Sequence, residues 1–295
     1  MDTLLYRSYL DSFLEEFEYD KADSAFLRDT YEKIISNDSA KEILSDAIDA
    51  YGKNEMCDYD KLLSQSEKIA ILIGRHKYTT DLLMFILFSR RLLERYAERD
   101  FSREIWHNTV LDLKYKLTEC KLIKGTIGTF VAFWFAGFFD LERFAFGRLQ
   151  FELVPLGLKY KELDENSKVI GVHIPRDGTP LDLRKCHDAY LAAKEWYKDG
   201  VTIIDGKAVF YCESWLLYPD AVSAMPEKSN VRRFFEQFEI IETKDDFSYC
   251  EMWRLFNTDE RNPERLQTDS SLRRIYVDRM QRGLPAGEGK GIFLL

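Results

Sequence analysis

Histidine is scarce in this sequence, four in 295 residues, and one of them, His173, closes the β-branched run VIGVHI directly before PRDG. Imidazole changes charge nearer neutrality than other side chains, so a histidine at a strand end is a candidate proton acceptor. Alternation sets His173 with Val169 and Gly171 on one strand face and Ile170, Val172 and Ile174 on the other. It is expected to face a ligand cleft, as the proton acceptor or as an orienting hydrogen-bond partner; a purely structural histidine would fit the same position. Glu152 in RLQFELV and Glu213 in YCESWLL are rivals for the role, both flanked by apolar strand residues. Burial there raises a carboxyl toward neutrality, although a solvated strand face accounts for either one alone. Arg176, Asp177, Gly178 and Thr179 follow His173 at the junction with a helical pattern. Proline and glycine make this an ordinary turn. The same residues also suit an anion, because Gly178 lets it approach the backbone, Arg176 supplies charge and a helix N-terminus offers amides.

Other reactive side chains point less clearly. Cys212 and Ser214 share one face of VFYCESWLL, but no nucleophile elbow of the form G-x-S-x-G surrounds them. Cys186 and His187 are neighbours on a helix, point apart and cannot chelate one ion. The tail RGLPAGEGKGIFLL is rich in glycine without phosphate-loop spacing, and reads as a flexible or docked tail. Arg273, Arg274, Arg279 and Arg282 before it read as a solvated helix face, or as a source of one contact to a phosphate.

The elements that must position these residues fall into two halves. Up to about residue 122, apolar residues recur at helical spacing in LLYRSYLDSFLEEF, AFLRDTYEKII, KEILSDAIDAY and TTDLLMFILFSRRLLERYAER. Asp81 and Ser102 read as caps for the segments after them. TIGTFVAFWFAGFF at 126–139 reads as a buried helix, too short to span a bilayer. Beyond it, short strands alternate with turns: 148–154, 158–163, 168–174, a helix over 181–198, then 209–217, a helix over 229–238, 239–243, 248–256 and a helix over 271–281. The expected order is β-β-β-α-β-α-β-β-α, with a helical domain over 1–140 and a sheet domain over 141–295. No internal repeat or low-complexity tract interrupts it.

Composition limits the partners. The length suits two domains, and 45% apolar with 14% aromatic residues is ample for packed cores. A net charge of −9 argues against nonspecific nucleic-acid binding, so an anionic ligand needs a local basic site. The five cysteines are scattered and never form C-x-x-C, which suggests neither disulfides nor zinc. The reading is a cytoplasmic protein with no metal, no signal peptide and no membrane segment.

The segments GRLQFEL, VIGVHIPRDGTPLD, SWLLYP, SNVRRFFEQF and MWRLF, in this order, resemble a family of bacterial acyltransferases with a helical N-terminal domain and a GNAT-like C-terminal domain. The resemblance covers essentially the whole chain. It implies an α+β protein whose second domain is a mixed, mostly antiparallel sheet with flanking helices. It also implies acyl-coenzyme A as co-substrate, an amine as acceptor, and the loop of Arg176, Asp177, Gly178 and Thr179 as the place where coenzyme A phosphate is held. This loop has a single glycine and lacks the six-residue R/Q-x-x-G-x-G/A signature. His173, Glu152 and Glu213 are then the candidate bases for an N-acyltransferase. A non-catalytic module of the same fold, binding a small ligand or meeting a protein through its helical domain, is the alternative. A hydrolase using Ser214 or Cys212 is a third reading.

Overall fold

The computed structural model describes residues 1–53 and 58–295; Cys57 lies outside the described residues. The chain divides into two compact units, Met1–Phe144 and Ala145–Leu295.

The first unit is helical: α1 (Thr3–Glu16), α2 (Lys21–Ile35), α3 (Asp38–Lys53), α4 (Tyr59–Ile73), α5 (Lys77–Glu98), α6 (Arg103–Val110), α7 (Asp112–Lys124) and the short α8 (Ala136–Phe139). Each of the first helices is apolar along one stripe, and each turns that stripe toward α5, which is buried nearly all round from Thr79 to Ser89. Asp2, Asp20, Asp58 and Ser102 accept backbone amides at helix starts, as short polar side chains do at N-caps. Ser102 therefore caps as expected, whereas Asp81 does not. α5 begins a turn earlier, with His76 accepting the amide of Tyr78, and Asp81 lies buried inside the helix. The segment 126–139 also departs from expectation. Only Ala132 onward is helical, first as a tight turn over Ala132–Phe135 and then as α8, and Phe133 is exposed. Gly128 explains the interruption, since a Cβ there would meet the backbone of Tyr78 at 2.3 Å.

The second unit is built on one sheet of β1 (Arg143–Phe146), β2 (Leu149–Pro155), β3 (Lys168–His173), β4 (Ile203–Ile204), β5 (Lys207–Ser214), β6 (Glu239–Lys244) and β7 (Glu288–Leu294). Its helices are α9 (Leu183–Trp196), α10 (Pro219–Val222), α11 (Asn230–Phe235), α12 (Trp253–Phe256) and α13 (Ser271–Gln281). The strand order is β1-β2-β3-β5-β7-β6, with β4 pairing β5. Neighbours with known register are antiparallel except β3 and β5, which run parallel because α9 forms the crossover between them.

Phe151, Phe210 and Phe293 line one face of the sheet and pack on Tyr190 of α9, with Phe238 closing the far side. The opposite face carries an apolar patch at one end. There the segment after β2, through Leu156, Leu158, Tyr160 and Leu163, covers Val154, Val169, Val209 and Ile292.

Three expectations change here. Residues 158–163 form an irregular turn closed by a bridge between Tyr160 and Leu163, not a strand, because their apolar side chains cap the sheet face. Residues 248–256 fold as a turn, with Tyr249 at φ +53°, followed by α12. The tail is not flexible but docked, as a full strand: residues 288–294 are β7, between β5 and β6. Its glycines answer to close packing, since a Cβ at Gly289 would lie 2.1 Å from the carbonyl oxygen of Leu217 and one at Gly291 would lie 2.8 Å from the Phe238 side chain.

Candidate active site

The β2–β3 register sets Gln150 opposite His173 and Glu152 opposite Gly171, so Glu152 and His173 are diagonal neighbours on one sheet face. Gly171 has no side chain to separate them. A Cβ there would meet Val154 Cγ2 at 3.3 Å and Glu152 Cγ at 3.6 Å. Glu152 thus leans across Gly171, and its Oε1 lies 2.7 Å from Nε2 of His173. Both side chains are partly covered, at 29% exposure for His173 and 17% for Glu152. The two candidate residues are therefore one hydrogen-bonded pair. In the neutral ring, a proton on Nε2 facing the carboxylate puts the lone pair on Nδ1.

The third carboxylate, Glu213, shares this face through the parallel register of Gly171 with Tyr211, but stands in a separate network. Its Oε2 accepts the Tyr211 hydroxyl at 3.0 Å. Lys290, its partner across the β5–β7 ladder, donates to Glu242 Oε1 at 2.6 Å. Burial first and then the Glu213 charge push Glu288 above the usual carboxylate range and Tyr211 above the usual phenol range.

The pair stands where the sheet stops being continuous. The β3–β5 ladder joins Ile170 to Phe210 and Gly171 to Tyr211, and His173 and Glu213 lie beyond those pairs. The carboxyl ends of adjacent parallel strands are where open sheets take their ligands. From there the chain runs through residues 174–182 into α9. Gly178 has φ +80° with nothing within 4 Å of its missing Cβ, so this backbone is open to a ligand. Asp177 Oδ1 accepts both the amide and the hydroxyl of Thr179 at 2.9 Å. Arg176 donates through Nη2 to Asn257 Oδ1 at the end of α12, and so joins the loop to that segment. The amides that a bare helix end would offer are partly taken. Asp182 accepts those of Arg184 and Lys185, and the bond from Arg184 holds its carboxyl below the usual range.

The remaining sequence candidates fall elsewhere. Cys212 is buried on the face that packs against α9, and that burial raises its thiol far above the usual range. Ser214 Oγ accepts the amide of Leu216 and caps the turn after β5. Cys186 is buried whereas His187 is exposed, so the two point apart. Three of the four arginines of α13 and its end hold backbone: Arg273 donates to Leu255, Arg274 to Thr268, and the buried Arg279 to Pro285 and Asp220. Arg282 pairs with Asp278 at 3.2 Å. Among the described residues no group of three or more His, Cys, Asp or Glu side chains is placed to hold a metal ion. No described helix is long and apolar enough to cross a membrane. Sequence reasoning missed Arg148, Tyr211 and Lys290, none of which carries a motif. It also missed Asp182, whose place two residues after Pro180 was a readable capping signal.

Comparison with solved structures agrees with this architecture. The chain is similar to an acyltransferase in complex with decanoyl-CoA and teicoplanin, with 16% identity and a TM-score of 0.64 over 97% of this chain and 99% of that one. It is also similar to an acyltransferase in complex with decanoyl-CoA, with 17% identity and a TM-score of 0.63 over the same shares. At such identity the likeness is one of fold. No curated protein matches the sequence. Residues 8–141 match the N-acyltransferase N-terminal domain, and residues 144–293 match the GNAT-like C-terminal domain. The second match covers half of the chain and coincides with the mixed sheet and its one parallel pair, and the chain belongs to the GNAT-like C-terminal domain family of acyltransferase fold.

Proposed function

We propose that the protein transfers an acyl group from an acyl-coenzyme A thioester to an amine. The observation that carries this reading is the His173–Glu152 pair at 2.7 Å, three residues ahead of the open Arg176–Thr179 loop at the ends of two parallel strands. Arg176 and the backbone around Gly178 hold the phosphates of the donor, with Asp177 and Thr179 keeping the loop in shape. Glu152 orients the imidazole, and His173 takes a proton from the attacking amine through Nδ1. The C–N bond forms as the C–S bond breaks, and His173 returns the proton to the departing thiolate. Glu213 stands in reserve on the same face and is expected to tune the acceptor side. The solved relatives in complex with decanoyl-CoA and with teicoplanin support this reading and supply the first probes.

Calorimetric titration with coenzyme A, acetyl-CoA and decanoyl-CoA, paired with thiol release in the presence of primary amines and teicoplanin, tests it. No binding at millimolar coenzyme A would sink the acyltransferase reading. Binding without thiol release for any acceptor would favour the non-catalytic module.

The loop supplies its own prediction. Arg176→Ala removes a charge-assisted contact of about 1.5 to 3 kcal/mol, and so raises the Kd for coenzyme A about tenfold or more. Gly178→Val weakens binding by a different route, because valine is strained at φ +80° and covers the exposed backbone. Added salt is expected to erode the wild-type advantage over the alanine variant only. An unchanged Kd in both variants would move the phosphate site off this loop.

A further inference from the structure

We propose that Arg148 is the positioning residue that sets the shape of the 175–179 loop for its ligand, an inference that rests on the coenzyme A reading above. Arg148 stands in the turn just before β2, directly after Gly147, whose φ of +58° turns the chain, and only 8% of the arginine is exposed. Its Nη1 donates to the carbonyl of Pro175 at 2.9 Å, and its Nε lies 3.4 Å from Asp177 Oδ2. One buried guanidinium therefore holds the loop at two points, one on each side of Arg176. Asp177 passes the restraint on, since its carboxylate accepts the amide of Thr179 through Oδ1 and the hydroxyl through both oxygens, across Gly178. The guanidinium combines one directed hydrogen bond, to Pro175, with a charge beside Asp177, whereas a lysine ammonium brings the charge without the planar N–H placed for that carbonyl. The loop proposed for ligand binding is thus ordered by a side chain from the turn before β2.

The role differs from plain stability in what it moves. Removing Arg148 leaves Asp177 as a largely covered carboxylate without its cation, which lowers the melting temperature whatever the loop does. The loop's own contribution shows in ligand affinity, measured on protein that is folded.

The experiment is calorimetric titration of coenzyme A into wild type, Arg148→Gln, Arg148→Lys and the double variant Arg148→Gln/Asp177→Asn, with a melting temperature for each sample. Arg148→Gln is expected to raise Kd about tenfold, and Arg148→Lys to fall between it and wild type. The double variant is expected to regain melting temperature while keeping the raised Kd, because the stranded charge is gone and the anchor is still missing. Wild-type affinity in Arg148→Gln would overturn the proposal, as would a Kd that recovers together with melting temperature in the double variant. If Arg148→Gln does not fold, wild-type affinity in Arg148→Lys overturns it equally. Absence of binding by wild type would overturn the coenzyme A reading and this inference with it, an outcome distinct from equal affinity in wild type and variant.

Discussion

Replacing His173 by glutamine is expected to lower turnover by about 10² to 10⁴-fold while coenzyme A affinity stays near that of wild type. Glutamine is polar and of similar reach, so the strand end and the loop after it keep their surroundings, but the amide cannot take up a proton. Glu152→Gln is expected to give a smaller loss in the same direction. An amide does not impose the ring orientation that the carboxylate fixes at 2.7 Å, yet the imidazole itself remains. Turnover and melting temperature read on the same samples separate chemistry from folding. A structural histidine would show a lower melting temperature with unchanged activity per folded molecule. Full specific activity in the His173→Gln variant would remove it from the reaction and leave Glu152 and Glu213 as the bases.

The second large effect concerns the end of the sequence. Truncation after Leu284 is expected to abolish cooperative folding of the C-terminal unit. It removes β7, which pairs with β5 from Val209 to Ser214 on one side and with β6 on the other. Ile292 is buried against the apolar patch, and Phe293 stacks on Phe210 at 4.8 Å between rings. Burying two such side chains stabilises by about 1.5 to 3 kcal/mol each, and two ladders are lost besides. Against a total of about 5 to 15 kcal/mol for a domain, that loss is decisive. Gly289→Val should do similar damage from one position, because its side chain would collide with the backbone of Leu217. Near-ultraviolet circular dichroism and the thermal transition of each variant give the answer. A wild-type transition in the truncated protein would make β7 peripheral.

How much of this was legible in the sequence depended on whether the signal was local. Helices α1, α2, α3 and α5 follow from apolar spacing, and the helix–strand change of texture follows from alternation, because both periods are written within a dozen residues. The strand faces of His173 and Cys212 were readable for the same reason. The His173–Glu152 pair was not, since it depends on the register between β2 and β3, and a slip of one residue would have sent Glu152 to the other face. β7 was misread because glycine carries two meanings. Gly289 and Gly291 look like flexibility in sequence, whereas both are places where another segment comes too close for a side chain. The alternation of 158–163 was real but served to cover a sheet rather than to join one. A readable signal was passed over at Asp205–Gly206, an Asp-Gly turn that joins β4 to β5 with both residues at positive φ. Arg148 had no local mark, since only the folded chain brings it to a loop that begins 27 residues away.

The place of β7 also bears on how the protein is made. β5 and β6 leave the ribosome before the strand that lies between them, so a growing chain presents β5 with one side unpaired and β6 without any neighbour in the sheet. Bare strand edges of this kind pair with whatever strand is nearest, including another nascent copy. Synthesis rate over the stretch encoding residues 245–295 therefore becomes a determinant of yield: slow translation there prolongs the exposed state, and a chaperone that shields strand edges should matter most in that interval.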